Sequence, residues 1–513
     1  MESHTENTKR IAKNTLMLYA RMLFSMLVSL YTSRVVLNTL GVEDFGIYNA
    51  VGGFVAMFSL VSSSLSSSVS RFLTFELGRG DMRRLKETFS MSVLIHIALA
   101  VIIFILAESV GIWFLNTQMT IPAERLYAAN WVFQASVLSF MFSLCSVPYN
   151  ASIVSHERMS TFAYIGILDV VLRLLIVLFI TYSSFNFDRL IVYSLLLVTV
   201  SILLQGIYIW YCRHNFEECR LRFHFNKRCW KEMSAFAGWN FLGSGAYLFN
   251  TQGINILMNL FFGVGINAAR GVATQMDATV QAFVGNFTTA LNPQITKSYA
   301  SNDLDYMHTL ICRGAKYSYF LMFFFIVPLI LETSQILSIW LVNIPNHAIT
   351  FVRLTLLSSM ITVIGNSLFT AQMATGNIKK YQITVTMVGL WVFPFSYVLF
   401  KLGFPPESAY VAYILIYFSL IFVRIYLVKD LIQLSWQKYF KDVLLKITIV
   451  SVCSCVIPCL FYFNMQPSFT RLLTICIVST VSTTVFMYSL GLEKSERIFI
   501  KSRIQNKFDY LKH

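Results

Sequence analysis

Four arginines interrupt stretches of the sequence that are otherwise apolar enough to cross a lipid bilayer. They are Arg21, Arg34, Arg71 and Arg173. A guanidinium at the centre of a membrane-spanning helix costs about 2.5–3.5 kcal/mol on insertion scales, so it persists where it faces a cavity, a partner or the headgroup interface. Because a guanidinium binds phosphate or carboxylate oxygens through two parallel hydrogen bonds, these residues indicate anion binding within the membrane.

Arg21 and Arg71 are predicted to lie at one depth on consecutive helices. Arg21 follows Lys13 by eight residues, and Arg71 precedes Arg79 by eight residues on a helix that runs the other way. At a rise of 1.5 Å per residue, both lie roughly 12 Å from the inner surface. Two cations at this depth predict a water-filled cavity or an anionic ligand. The alternative for Arg71, extension toward the inner headgroups, stays open.

Arg34 and Arg270 lie near the predicted outer ends of the first and eighth spans. Substrate binding and extension toward the outer headgroups explain each position equally well. Arg270 belongs to the other half of the chain and is a possible partner of Arg34. We therefore include both residues in the predicted anion-binding set.

Three carboxylates are predicted to couple transport to a proton or an ion. Asp169 precedes Arg173 by four residues, a spacing that lets the two charges neutralise each other on one helix face. A structural pair and an ion-exchanging carboxylate are both consistent with that spacing. Asp277 in the eighth span and Glu108 near the outer end of the third are the other candidates.

Polar residues without charge concentrate in four spans. The second span contains the serine-rich stretch SLVSSSLSSSVSRF, and the seventh and eighth contain amides that include Asn255 and Gln275. These amides cannot all face lipid, because the hydrocarbon region offers them no hydrogen bonds. The first, second, seventh and eighth spans are therefore predicted to line a central hydrophilic cavity. Asn255 and Gln275 join the arginines as predicted substrate-binding residues.

The elements that carry these residues are predicted to be membrane-spanning helices. The chain has 513 residues, of which 56% are hydrophobic and 13% charged, and apolar runs of bilayer length recur almost from end to end. The sequence predicts an all-α integral membrane protein with about fourteen transmembrane helices. The turn GVEDFG separates the first two predicted spans, 14–40 and 45–77.

The charge distribution predicts the orientation of the chain. Most of the 40 Lys and Arg residues fall in loops on one side, which the positive-inside rule assigns to the cytoplasm together with both termini. The net charge of +15 is explained in this way without a nucleic acid, and the basic C-terminal tail is free to contact anionic membrane lipids. The cysteines and histidines near residues 212–229 match no metal-ligand spacing, so no metal site is predicted.

The predicted domains are two six-helix lobes, the cytoplasmic loop between them and a C-terminal extension. Residues 1–212 form the N-terminal lobe, 213–234 a basic cytoplasmic loop, and 235–435 the C-terminal lobe. Residues 436–513 supply two further transmembrane helices and the basic tail. Residues 40–88 align without a gap on 262–310, a weak repeat of the kind that transporters carry.

The stretch LNTLGVEDFGIYNAV, with the arginine before it, resembles the opening signature of the polysaccharide-export flippases. The matching residues are Arg34, Leu40, Gly41, Asp44, Phe45, Gly46 and Tyr48. The segments SVSRF and GRGDMRRL also resemble that family. The resemblance implies two six-helix lobes around a central cavity. It also implies membership of the superfamily that includes the multidrug-and-toxin exporters and the lipid II flippase.

The same resemblance implies a transporter rather than an enzyme, with no cofactor. Its expected substrate is an oligosaccharide on a polyprenyl pyrophosphate, moved from the inner to the outer leaflet of the bacterial plasma membrane for O-antigen or capsule assembly. A polysaccharide polymerase and a chain-length regulator are possible partners. The sequence contains no phosphate-binding P-loop, so a proton, an ion gradient or the membrane potential is the expected energy source.

Two alternatives stay open. One is a cation-coupled drug or small-molecule antiporter of the same superfamily, although the arginines argue against a cationic substrate. The other is a membrane polysaccharide polymerase or ligase. Such an enzyme needs a catalytic constellation at the outer face, and the sequence offers no convincing catalytic residues there.

Overall fold

The structure is a computed structural model, and it describes residues 2–56, 58–117, 121–183, 187–220, 225–262, 264–341, 344–493 and 496–498. The described residues form helices and connecting turns, with no strand among them. The first seven α-helices are α1 Glu2–Ala56, α2 Ser59–Arg79, α3 Met82–Leu106, α4 Ile112–Thr117, α5 Leu126–Ser155, α6 Met159–Tyr182 and α7 Arg189–Asn215.

Twelve further α-helices follow in the described part of the chain. They are α8 Lys227–Phe262, α9 Val264–Ala300, α10 Leu304–Leu331, α11 Thr333–Trp340, α12 Ala348–Ile364, α13 Asn366–Thr375, α14 Lys379–Leu390, α15 Val392–Lys401, α16 Ser408–Ile432, α17 Trp436–Tyr439, α18 Lys446–Asn464 and α19 Phe469–Phe486. Wider π-helical turns occur at Ala107–Gly111, Phe440–Leu445 and Met487–Gly491, and 3-10 turns at Ala123–Arg125 and Glu217–Cys219.

Ten helical stretches in the described residues are long and apolar enough to cross a membrane. They comprise α3 with α4, α5, α6, α7, α10, α12 with α13, α14 with α15, α16, α17 with α18, and α19. This confirms an all-α, multi-pass membrane protein, whereas the total of fourteen transmembrane helices stays a prediction. The ten are counted over the described residues alone, and α1, α2, α8 and α9, for which the sequence predicts a polar surface, include side chains outside them.

The predicted turn after the first span is a kink inside α1. Gly41 has φ 81° and ψ 170°, a left-handed conformation that glycine adopts without the steric cost of a Cβ. The second predicted span, 45–77, covers the end of α1 and most of α2, with residue 57 outside the described residues. The Phe58 amide donates to the Val55 carbonyl at 3.1 Å, which makes a tight turn between α1 and α2. The serine-rich start of α2 favours such an interruption, because serine side chains compete for backbone hydrogen bonds.

The chain divides into two compact units. The first unit comprises Met1–Gly245 and Thr289–Asp303, and the second comprises Ala246–Thr288 and Leu304–His513. In the first unit α5 packs along α7 and α1 packs along α6, while in the second α18 packs along α19 and α12 along α16. Both α8 and α9 change unit partway along their length. The predicted lobe boundaries stay predictions.

Candidate functional site

Arg21 packs against α6 in the first unit. Its guanidinium carbon lies 4.5 Å from the centroid of the Phe162 ring, a cation–π distance. Its aliphatic stem lies over Gly166, where a Cβ would come within 2.8 Å of the Arg21 Cδ. Phe162 and Gly166 are four residues apart and so share one face of α6. The guanidinium therefore contacts protein, and no carboxylate among the described residues forms a salt bridge with it.

Arg71 lies in a niche of aromatic rings, also in the first unit. Its guanidinium carbon is 4.6 Å from the Phe72 centroid, 4.7 Å from Phe75 and 5.5 Å from Phe236 on α8. Glu76, a little more than one turn further along α2, is close enough to interact with the charge. Arg21 and Arg71 thus have different aromatic partners. Their joint role in anion binding stays a prediction, and the side chain of Arg34 lies outside the described residues.

Arg270, Asn255 and Gln275 line one open cavity of the second unit. Its other lining residues are Gly271, Thr274, Ala278 and Thr279. Most of these residues recur every three or four positions on α9, which places them on one face of that helix. The structure therefore brings together three of the six predicted substrate-binding residues. The cavity offers one cation, two amides and two hydroxyls to a ligand.

Arg270 also lines a second, more enclosed cavity of about 120 Å³ in the same unit. Its Nη2 donates to the Thr251 carbonyl at 3.0 Å, its Nη1 lies 3.6 Å from the Met258 sulfur, and its guanidinium lies 5.8 Å from the Tyr410 ring centroid. These contacts fix the guanidinium in the wall that the two cavities share. Asp277 lines the enclosed cavity two turns further along α9.

The other two predicted coupling carboxylates lie elsewhere. Asp169 accepts a hydrogen bond from Arg173 Nε at 2.7 Å, and both side chains are partly exposed. The two charges therefore compensate each other on α6. Glu108 lies in the π-helical turn Ala107–Gly111, half-buried. Single-turn π-helices of this kind are frequent at functional sites.

An ionic clamp that the sequence did not predict joins the kink of α1 to two other helices. Arg125, just before α5, donates from Nε to Asp44 Oδ1 at 2.8 Å and pairs with Asp188. Asp188 also accepts from the backbone amides that begin α7. Burial acts to raise the pKa of Asp188, but the hydrogen bonds from Arg125 and from those amides outweigh it and hold the pKa below its usual value. The acidic residue of the signature is therefore structural.

The buried carboxylate of Glu157 was also not predicted from the sequence. Its side chain is 1% exposed, and it accepts hydrogen bonds from Lys297 Nζ at 2.5 Å and from the Gln294 amide, with Arg10 Nε at 3.0 Å. Asn14 donates to its backbone carbonyl at 3.2 Å. Glu157 thus joins α1, the turn between α5 and α6, and the end of α9 within the first unit. No local sequence signal marks it, because its partners lie about 140 residues away.

The apolar helices, the polar cavities and the charged residues along them are the features of a membrane transporter. The sequence from residue 11 to residue 299 matches the model of a family described as polysaccharide biosynthesis protein. The chain therefore belongs to that family. The match includes Arg21, Arg71 and all of the α8 and α9 residues that line the two cavities. No curated protein is similar enough in sequence to be matched to the chain.

Solved structures of transporters share the fold. A MATE transporter in a straight conformation superposes with a TM-score of 0.71 at 12% identity, covering 83% of this chain and 96% of that one. The same four values hold for a MOP superfamily transporter from Pyrococcus furiosus Vc1 (DSM3638) whose binding pocket is described as having reverse polarity. An outward-facing multidrug resistance MATE transporter gives a TM-score of 0.68 at 12% identity with the same coverage. The chain therefore shares the fold of these solved transporter structures.

Proposed function

We propose that the protein is a flippase that moves an oligosaccharide linked to polyprenyl pyrophosphate from the inner to the outer leaflet of the bacterial plasma membrane. Its product would be used for O-antigen, capsule or a related surface polysaccharide. The observation that carries the proposal is the cavity of Arg270, Asn255 and Gln275 in a member of the polysaccharide biosynthesis family with a transporter fold.

The chemistry of these residues suits such a substrate. A pyrophosphate is a dense anion, and guanidinium groups bind its oxygens more strongly in a low dielectric than in water. Amides and hydroxyls such as those of Asn255, Gln275 and Thr274 hydrogen-bond the hydroxyl groups of a sugar. The unaided crossing of this headgroup would strip water from its charges and its hydroxyls, at a cost of many kcal/mol. A cavity that opens alternately to the two sides removes that barrier.

The proposal includes the placement of the protein. Both termini would be cytoplasmic, as the positive-inside distribution predicts. The lipid tail of the substrate would stay in the bilayer. A polysaccharide polymerase and a chain-length regulator would act on the product at the outer face, and no nucleic acid would take part.

A cation-coupled drug antiporter is the second candidate, and Asp277 is the observation that favours it. A partly buried carboxylate in a cavity is what a cationic drug requires, and a multidrug transporter shares the fold. The substrate separates the two functions. An antiporter would lower the accumulation of a cationic dye in cells, whereas a flippase would not.

The experiment is complementation of a strain that lacks its own flippase, combined with translocation of a fluorescent polyprenyl-pyrophosphate glycan in proteoliposomes. We expect Arg270→Ala, Arg21→Ala and Arg71→Ala each to lower the translocation rate at least tenfold while the protein still inserts. Arg→Lys variants should restore little, because lysine lacks the bidentate fork.

Arg83→Ala is the matched control, because that side chain is 89% exposed and pairs only with Glu87 among the contacts that the structure describes. It should translocate at the wild-type rate. Normal complementation by all three arginine variants would refute the assignment of these arginines. A wild-type protein that exports a cationic dye and moves no glycolipid would refute the flippase itself.

A further inference from the structure

The last described residues of the chain fold back onto α10 in the second unit. Glu496 lies between two cations of that helix: its Oε1 is 2.8 Å from Arg313 Nε, and its Oε2 accepts a hydrogen bond from Lys316 Nζ at 3.2 Å. The Oε2 atom also accepts from the Glu493 backbone amide at 2.8 Å, and the Tyr317 hydroxyl faces the same carboxylate. A guanidinium, an ammonium, a hydroxyl and an amide therefore converge on one anion.

This anion is shielded from water. The Lys316 side chain is 2% exposed and that of Glu496 is 7% exposed, whereas Arg313 is 27% exposed. Burial acts to raise the pKa of Glu496, but the Tyr317 hydroxyl, the Glu493 amide and the two cations outweigh it and hold the pKa below its usual value. Glu496 is therefore ionised at neutral pH. Among the described residues, no other carboxylate forms a salt bridge with Lys316.

The charge of Glu496 is the main contact that holds residues 496–498 on α10. These residues are helical, and the side chain of Ile498 is 69% exposed, so it adds little apolar contact. Arg497 donates from Nε and Nη2 to the Leu492 carbonyl at 3.1 and 2.9 Å, a bond within the C-terminal segment itself. An anion that took the place of the Glu496 carboxylate would therefore detach these residues from the helix.

The donors on α10 suit a phosphate group. We refer to Arg313, Lys316 and Tyr317 as the α10 site. Arginine and lysine are the side chains that bind phosphate oxygens most strongly, and a hydroxyl adds a further donor. The salt bridges in and around the site join three cations to three carboxylates, namely Arg313, Lys316 and Lys446 to Asp442, Glu493 and Glu496. Without Glu496 this cluster has an excess positive charge, which favours an oxyanion.

The α10 site lies near one surface of the membrane. The helix α10 is one of the ten candidate spans and ends at Leu331, 15 residues after Lys316 and 18 after Arg313. At 1.5 Å per residue these separations are roughly 22 and 27 Å. Because the hydrocarbon core is about 30 Å thick, the two cations lie close to its opposite boundary, next to the lipid headgroups. The positive-inside rule predicts that this boundary is cytoplasmic.

We propose that the α10 site binds oxyanions, that Glu496 occupies it as an internal ligand, and that a phosphate-class oxyanion competes with Glu496 and releases residues 496–498. The two ligands exclude each other, because the ammonium of Lys316 is buried and is already paired with the carboxylate. A lipid headgroup and free phosphate present the same chemistry, and the lipid is the closer source at this boundary. The C-terminal segment is thus docked or released according to the anions at the membrane surface.

The first experiment measures docking by hydrogen exchange of the peptide 492–498 in the full-length protein. Protein in phosphatidylcholine nanodiscs is compared in sodium phosphate and in sodium chloride at equal ionic strength. A third sample, in sodium chloride, has nanodiscs that contain phosphatidylglycerol. We expect at least threefold faster exchange with one phosphate source, because release breaks the hydrogen bond of the Glu493 amide. A response to phosphatidylglycerol alone identifies the lipid as the ligand, and a response to sodium phosphate alone identifies free phosphate.

The second experiment vacates the site. Glu496→Gln keeps the shape of the side chain and removes the competing charge. We expect its Tm in detergent to rise when inorganic phosphate or short-chain phosphatidylglycerol is added, at concentrations at least tenfold below those that affect the wild type. The double variant Glu496→Gln, Lys316→Met contains no unpaired buried ammonium and should show no such rise. Glu232→Gln is the matched control, because that carboxylate is 55% exposed and pairs with Arg228 in the first unit.

Each outcome decides one part of the proposal. If neither probe speeds exchange in the wild type or raises the Tm of Glu496→Gln, the carboxylate is a structural ion pair and the oxyanion site is refuted. An equal rise for the double variant would place the ligand elsewhere and also refute the site. A rise for Glu496→Gln without faster exchange in the wild type would overturn the release. Neither readout uses a glycolipid, so these results are independent of the proposed flippase.

Discussion

Replacing Glu157 with glutamine is expected to destabilise the first unit where α1, the turn between α5 and α6, and the end of α9 meet. The change keeps the shape of the side chain and removes its charge. Lys297 and Arg10 then lose their counter-charge, and the Gln294 amide loses a charged acceptor. The expected loss of unfolding free energy depends on how exposed each partner is to solvent.

Removing one partner of a fully buried ion pair costs about 3–5 kcal/mol. Here the Glu157 side chain is 1% exposed, but Lys297 is 26% exposed and Arg10 is 49% exposed. Because water solvates Arg10, its ion pair contributes little. The main loss is the charge-assisted bond from Lys297, about 1.5–3 kcal/mol, part of which the new amide oxygen recovers. We therefore expect a loss of about 2 kcal/mol, or roughly 3–6 °C in the apparent Tm.

The assay is thermal unfolding of the full-length protein in detergent, read by tryptophan fluorescence at one scan rate because unfolding need not be reversible. Glu217→Gln is the control, since that side chain is 68% exposed, its partner Lys86 is 45% exposed, and the change should alter the Tm by less than about 1 °C. The double variant Glu157→Gln, Lys297→Met should lose less than the sum of the two single variants, because neither charge is then left without a partner. A Tm for Glu157→Gln equal to that of the control, or strict additivity in the double variant, would refute the reasoning.

Two glycine substitutions test the first unit further. Gly166→Ala would place its Cβ 2.8 Å from the flexible Cδ of Arg21, so we expect Arg21 to move and translocation to fall severalfold at little cost in Tm. Gly206→Ala, with no atom within 4 Å of its Cβ, should leave translocation unchanged. Gly41→Ala forces a Cβ into a φ of 81° and should cost about 1–2 kcal/mol in the melting assay, whereas Gly52→Ala, in the same helix at ordinary φ, should cost nothing. Equal results within either pair would contradict the prediction.

The helical fold follows from local features that the sequence displays directly. Long apolar runs predict membrane-spanning helices, and the turn GVEDFG predicts the break in direction that Gly41 makes. Part of the site follows in the same way. The spacing of Arg270, Thr274 and Asp277 places them on one face of a helix, and the structure shows them lining one cavity.

The rest of the site depends on contacts between residues that are distant in the sequence. Arg21 lies on the ring of Phe162, and Asp44 is held by Arg125, 81 residues away. Which residues meet is decided by how the helices pack, and no periodicity within one helix reveals it. Glu157 was missed for the same reason, because its partners Lys297 and Arg10 lie on other helices.

The placement of charge along the helices carries functional information. The helices α1, α2 and α9 carry Arg21, Arg71, Arg270 and Asp277. In a helix that faces lipid on every side such charges are strongly destabilising, because lipid does not solvate them. In a helix that lines an aqueous cavity, water solvates them. In a transporter, the membrane helices that carry charged residues are therefore the first place to look for the substrate pathway. In this chain α8 and α9 line the open cavity on which the proposed flippase rests.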